Sequence, residues 1–331
     1  MKELVDTFIM NFKYFVGFEH QKIHSKFIKE IFPGDYVHLE CTDKTLVFPD
    51  TIFEHDDKNT VWFFNDVYFH LHPRLKGKQV LVGHGTGFGR SVTPERTDCI
   101  NKYIDVVFCN GFLEEQYRLE AGIERQKLKQ IGYTYPLLLP DVETNPLAVL
   151  FSSTYFKNWN HYENLNKMLD NFDSDLIGRV TIHPQTPEAL KRPLIEACEK
   201  KENLSMVHSQ EQLLHALSEC SYGVFGGATS VAATYYLLGK PTIYVRGRVG
   251  VNPLKGIGWK RIKKLTNSSI FDEHLDEVTK ISNWKKFNKH LILNSKPSEV
   301  VKKMFYPWNL NKTEITERLV ACINELSKDK T

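Results

Sequence analysis

One histidine and four glycines fall within a single short run, Val82-Gly83-His84-Gly85-Thr86-Gly87-Phe88-Gly89-Arg90-Ser91. Glycines admit positive φ and expose backbone N–H groups, and residues 79–82 just ahead of them read as a strand. An imidazole delivered at the carboxyl end of a strand is placed for general-base work on a bound hydroxyl. Gly85, Thr86, Gly87 and Arg90 would then form the loop around that hydroxyl. No Gly-Lys-Ser/Thr follows, which excludes a Walker loop, and the spacing does not fit a dinucleotide fingerprint.

A second histidine stands in Ile182-His183-Pro184, where proline ends a strand and holds the ring at the rim of a sheet. A third site is Phe225-Gly226-Gly227-Ala228-Thr229-Ser230-Val231, between a strand and a helix. Small residues such as Gly227 let a ligand approach the backbone, while Thr229 and Ser230 add hydroxyls to the orphan N–H groups and positive dipole end of the helix. That combination suits a phosphate, although plain N-capping accounts for the hydroxyls equally well. Arg246 and Arg248 follow the next strand and suit an anionic donor, as do Lys255, Lys260, Arg261, Lys263 and Lys264, though a solvated loop would look the same.

Metal and nucleophile chemistry find little support. His70 and His72 would share one face of a strand but lack a third ligand, and Glu54-His55-Asp56-Asp57 reads as a polar loop. There is no HExxH, no paired cysteine and no GxSxG elbow, so the sequence predicts neither a catalytic metal nor a serine hydrolase, and no cofactor.

The elements that must position these groups follow from apolar periodicity. In the first half, strand-like runs at 36–39, 61–64, 79–83 and 105–109 alternate with turns, and a helix is expected over 112–121. Phe8, Phe12, Phe15 and Phe18 are spaced as on a helix, which predicts a buried helix face or, secondarily, a membrane-docking one. The second half alternates strictly: strands at 148–151, 179–182, 204–207, 222–225 and 242–245, helices at 162–171, 187–201, 211–219 and 230–238. Such alternation specifies a parallel sheet with crossover helices. Three prolines (Pro136, Pro140, Pro146) mark an interdomain linker. The expected domains are 1–140 and 146–300, with a helical tail over 301–331 whose start carries Thr313, Thr316 and Glu317 in a capping pattern.

At 331 residues, 41% hydrophobic and 25% charged, the chain can bury two cores and is not a disordered or collagen-like polymer. A net charge of +3 gives no bulk signal for nucleic acid. The six cysteines form no CxxC pair, which reads as reduced, partly buried thiols of a cytoplasmic protein, and no stretch has the length of a signal peptide core or a spanning helix.

The order of motifs resembles a known family. His84 to Gly87 after a strand, VVFCNGFLEEQY (106–117), IGYTYPLLL (131–139), VLFSSTY (149–155), IHP (182–184) and the Gly/Thr/Ser junction ahead of LLGKPTIY (237–244) resemble the CDP-glycerol glycerophosphotransferases that build teichoic acid and capsule. The resemblance implies a GT-B architecture, two Rossmann-like domains with parallel sheets facing across a cleft, the donor held by the second and the acceptor by the first. It assigns His84 as general base, His183 to the donor diphosphate, and Thr229 and Ser230 to phosphate. Two departures stand out: Gly227-Ala228-Thr229-Ser230 replaces an Asp-Tyr-Ser-Ser pattern, and Gly87 replaces a proline.

The main expectation is therefore transfer of a polyol phosphate from a CDP-linked donor to a hydroxyl of a glycan or lipid-linked polymer, in the cytoplasm, with peripheral contact at the inner face of the plasma membrane. The alternative is a GT-B glycosyltransferase using a UDP-, GDP- or CMP-sugar. A nucleotide-sugar epimerase or a non-catalytic binding protein stands behind both.

Overall fold

The computed structural model describes residues 10–17, 22–38, 40–42, 45–47, 51–54, 56–82, 93–153, 161–183, 186–226, 230–245, 279–281, 284–297 and 311–328. The chain divides into two units, Met1–Leu137 with Phe305–Thr331, and Leu138–Met304.

The first unit opens with β1 (Asn11–Val16), α1 (Lys22–Ile31) and β2 (Asp35–His38), then a hairpin of β3 (Glu40–Thr42) and β4 (Thr45–Val47). It continues through α2 (Thr51–Glu54), β5 (Thr60–Phe64), β6 (Lys78–Leu81), α3 (Pro94–Tyr103), β7 (Val106–Cys109), α4 (Phe112–Glu120) and β8 (Leu128–Gln130). Six strands pair in parallel in the order β2-β1-β5-β6-β7-β8.

The N-terminal aromatics are strand, not helix. Phe12 and Phe15 lie on opposite faces of β1, Phe12 against Phe32 and Phe63, Phe15 against Phe64 and Tyr68. A parallel strand covered on both faces buries successive side chains whichever way they point, so the three-residue spacing carried no helical meaning. Buried at 5% and 0% exposure, these two rings present nothing to a membrane. Phe8 and Phe18 lie outside the described residues. α1, which the apolar pattern did not reveal, buries Ile23, Phe27 and Ile28.

The polar loop at 54–57 is structural at its centre. Asp56 is buried and accepts from the Trp62 indole (2.8 Å) and the Lys76 and Gly77 amides (2.5 and 3.0 Å), which uses both its oxygens. His70 and His72 do not share a strand face. Pro73 draws 72–74 into a 3-10 turn, His70 is exposed, and His72 is fully buried with its Nδ1 2.7 Å from Gln79 Oε1.

The second unit runs β9 (Asn145–Ser153), α5 (His161–Asp170), β10 (Ile177–Ile182), α6 (Glu188–Glu199), β11 (Leu204–Val207), α7 (Gln210–Glu219), β12 (Cys220–Gly226), α8 (Ser230–Leu237), β13 (Thr242–Val245), β14 (Thr279–Ile281) and α9 (Lys289–Leu293). The strands pair in parallel in the order β11-β10-β9-β12-β13-β14, the doubly wound order of a Rossmann fold. Its core joins Val149 and Phe151 of β9 to Leu165 and Met168 of α5, Leu194 of α6 and Phe287. Every strand and helix expected here is present, and β14 and α9 are additions.

The closing helix, α10 (Lys312–Lys328), belongs to the first unit. It buries Ile315, Leu319, Cys322, Ile323 and Leu326 as one stripe, Lys129 pairs with Glu325 at 2.7 Å, and Arg318 donates to the Gln130 carbonyl at 3.0 Å. Its cap lies earlier than the Thr313/Thr316/Glu317 pattern suggests. Asn311 Oδ1 accepts from the Glu314 amide (3.0 Å) while Glu314 accepts from the Asn311 amide (2.9 Å), a reciprocal box one turn upstream.

Two stability effects follow. Leu319→Ala removes a fully buried side chain, and chemical denaturation should show a loss of about 2–5 kcal/mol. Burial pushes the His72 imidazole down from 6.5 to about 4, so below pH 6.5 the unfolded chain takes up a proton that the folded one refuses. Stability is therefore complete above that pH and falls on acidification, by about 2 kcal/mol from this group between pH 8 and pH 5. Urea titrations at both pH values should show the acid loss reduced by that amount in His72→Gln.

Candidate active site

In an open parallel sheet, ligands bind beyond the carboxyl ends of the strands where the winding reverses. In the second unit that point lies between β9 and β12. The register aligns four strand ends in one row: Ile182 of β10 opposite Ser153 of β9, Ser153 opposite Gly226 of β12, and Gly226 opposite Val245 of β13. His183 follows the first of these ends directly and is half-buried. Ser230 opens α8 four residues beyond Gly226.

The start of α8 is chemically suited to an anion. Its first turn holds no acidic residue, so the helix dipole there is not offset by a carboxylate of the helix's own. Phe225 and Tyr235 meet edge to face at 5.1 Å, fixing α8 on β12. The carboxyl edge of the first sheet differs. Its α4 carries Glu114 and Glu115 in the first turn. The buried Glu114 accepts from the Asn110 amide (2.8 Å) and from Arg118 Nε and Nη2 (3.0 and 2.6 Å), so this amide and this guanidinium are already engaged.

Of the residues singled out from sequence, His183 directly follows the Ile182 end of the row, and Ser230 opens α8 four residues past Gly226. Gly227, Thr229, Arg246 and Arg248 lie outside the described residues, as do His84, Gly85, Thr86, Gly87 and Arg90. The last described residue before the His84 run is Val82, whose amide donates to the Phe64 carbonyl at 2.8 Å at the carboxyl edge of the first sheet. Ser152 and Ser153 were not singled out, although they end the strand at the reversal point. The VLFSSTY segment contains both, but only the strand order gives them their place. Among the described residues, no group of three or more His, Cys, Asp or Glu is placed to hold a metal ion.

The LLGKP segment has a structural explanation. Gly239 takes φ +66° just past α8, and the Lys240 amide returns to the Tyr235 carbonyl (2.9 Å), a left-handed helix stop that favours glycine. Lys240 Nζ then donates to the carbonyls of Leu217, Ser218 and Cys220 (2.8, 2.7 and 2.9 Å), placing its charge at the carboxyl end of α7. Burial lowers the Lys240 pKa. Burial likewise pushes the Cys220 thiol up to about 12 and Cys198 to about 11, and the five cysteines whose side chains are described are buried and free.

Comparison with protein-family models found no match, and comparison with curated proteins found none. Solved structures do match along nearly the whole chain. MnaA of S. aureus, in a co-structure with UDP, superposes with a TM-score of 0.59 at 10% identity, covering 97% of this chain and 97% of that one. The UDP-GlcNAc 2-epimerase of Neisseria meningitidis bound to UDP-GlcNAc gives 0.54 at 11%, covering 96% and 100%. The glycotransferase of kitacinnamycin gives 0.50 at 10%, covering 96% and 99%. The fold is GT-B. At these identities the likeness shows the fold, two parallel-sheet Rossmann-like domains, and no more.

Lys240 lies at the amino-terminal end of β13, away from the row of carboxyl ends. Lys240→Met should therefore cost about 3 kcal/mol in denaturant unfolding and leave nucleotide affinity unchanged, as measured by calorimetry on the folded variant.

Proposed function

We propose that this chain is a metal-independent GT-B glycosyltransferase that takes a nucleotide sugar, with the diphosphate at the carboxyl edge of the second sheet. The observation that carries the reading is the row of strand ends in which Ile182, one residue before His183, and Gly226, four residues before α8, lie on either side of Ser153. Structural neighbours described as holding UDP and UDP-GlcNAc support a uridine nucleotide. In this reading Gly227, Thr229, Ser230, Arg246 and Arg248 surround the diphosphate, and His183 contacts it. The acceptor hydroxyl, on a glycan or lipid-linked polymer, is held by Gly85, Thr86, Gly87 and Arg90. His84 takes its proton as the oxygen attacks the anomeric carbon. The bond from that carbon to the diphosphate breaks, and the nucleoside diphosphate leaves with its charge held by the helix start and the arginines.

The work is cytoplasmic, at the inner face of the plasma membrane. Among the described residues no helix is long and apolar enough to cross a membrane. A second reading, CDP-polyol phosphotransfer with release of CMP, is favoured by the order of the motif segments from 84 to 244. No resident cofactor is invoked in either case.

Calorimetry with UDP, CDP, CMP, GDP and ADP tests both readings. Uridine-selective binding lost in a Thr229→Ala/Ser230→Ala variant is the expected result. Cytidine selectivity would replace it with the second reading, and turnover of a UDP-sugar without acceptor would make the protein an epimerase. His84→Ala should lower kcat by on the order of 10²–10⁴ with donor affinity intact, and an unchanged kcat would remove His84 from the mechanism.

A further inference from the structure

The segments that follow β9 and β10 are tied together beside the row of strand ends. Tyr162, the second residue of α5, places its hydroxyl 2.8 Å from Thr186 Oγ1, and both residues are buried at 3% exposure. The Thr186 amide in turn donates to the His183 carbonyl at 2.9 Å. Tyr162 otherwise belongs to the core of the second unit, grouped with Leu165, Phe151 and Leu194. A phenol anchored in that core therefore reaches, through one hydroxyl, the residue whose amide holds the His183 backbone.

We infer that Tyr162 and Thr186 form a latch that sets His183 against the donor diphosphate. The inference rests on the donor-site reading above. Neither residue touches the donor in this account, and both act as positioning residues. His183 leaves the sheet one residue past Ile182, where the ladder of β10 no longer restrains it. The Thr186 amide holds its carbonyl there, and placement matters because a group displaced by about 1 Å loses most of its contribution to a bound ligand. The Tyr162–Thr186 bond ties that segment to α5, so the geometry of His183 follows the packing of this helix in the core rather than the loop alone.

Removing one partner strands a buried hydroxyl, and either single variant would lose stability whatever its role. The informative variant is Tyr162→Phe/Thr186→Val, which replaces the polar pair by an apolar pair of the same shape and retains the fold. Its melting temperature should stay within a few degrees of wild type. UDP affinity by calorimetry should fall on the order of tenfold, and the His183 ring resonance, assigned by its loss in His183→Gln, should move in the nucleotide-free protein. Thr186→Ser, which keeps the hydroxyl, should match wild type in both measurements. Wild-type affinity and an unmoved ring signal in the double variant would overturn the latch while leaving the donor site standing. UDP binding that is absent in wild type, or unaffected by His183→Gln, would overturn the donor-site reading and the latch with it, even if the ring signal moves.

Discussion

The pairing of β9 with both its neighbours, regular on both sides from Val149 to Ser153, is the constraint on which the second unit depends. Ala148 to Phe151 are fully buried, so this strand is covered on both faces as well as along both edges. Parallel pairing makes all carboxyl ends point one way, and a register error of one residue would move every inward side chain to the opposite face. With the register set, Ile182, Ser153, Gly226 and Val245 finish together. Segments remote in sequence then share one edge, with Ile182, which leads into the half-buried His183, and Gly226, which leads towards α8, on either side of Ser153.

Charge is handled differently inside the two units and at this edge. Within the units, buried or partly buried ionic groups are matched locally. Asp56 gathers amides and an indole, Glu114 meets Arg118, and Arg179 holds both oxygens of Glu219 (3.0 and 2.8 Å) and Ser205 (2.9 Å). Lys240 closes the carboxyl end of α7. Such groups are costly to bury unless paired, and these are paired by short, well-directed bonds. The start of α8 differs in that its first turn carries no acidic residue.

Much of the second unit was legible before any coordinates. Its strands and helices follow each other at short, regular spacing, and local apolar periodicity is a good guide where each strand is a continuous buried run. The first unit was less legible because its signals mislead locally. Phe12 and Phe15 imitate a helical stripe although both belong to a strand buried on two faces. His72 resembles a ligand until its turn and its contact with Gln79 are seen. The cap of α10 uses Asn311 and Glu314, and the more conspicuous threonines lie inside the helix.

Residue types and their spacing by themselves determined the βα alternation, the glycine-rich exits from strands, and the presence of His183 and Ser230 at strand and helix ends. Those are local properties, set by backbone sterics, caps and apolar period. Strand order is not local. Nothing near residue 150 states that β9 pairs with β12, some seventy residues later, or that Ser153 ends level with Gly226. That is decided by which faces must be buried together and by the right-handed crossovers that bury them. The same packing decides that α10 returns to the first unit and that Tyr162 reaches Thr186. Only the tertiary structure, therefore, brought Ile182, Ser153 and Gly226 level at one edge of the second sheet.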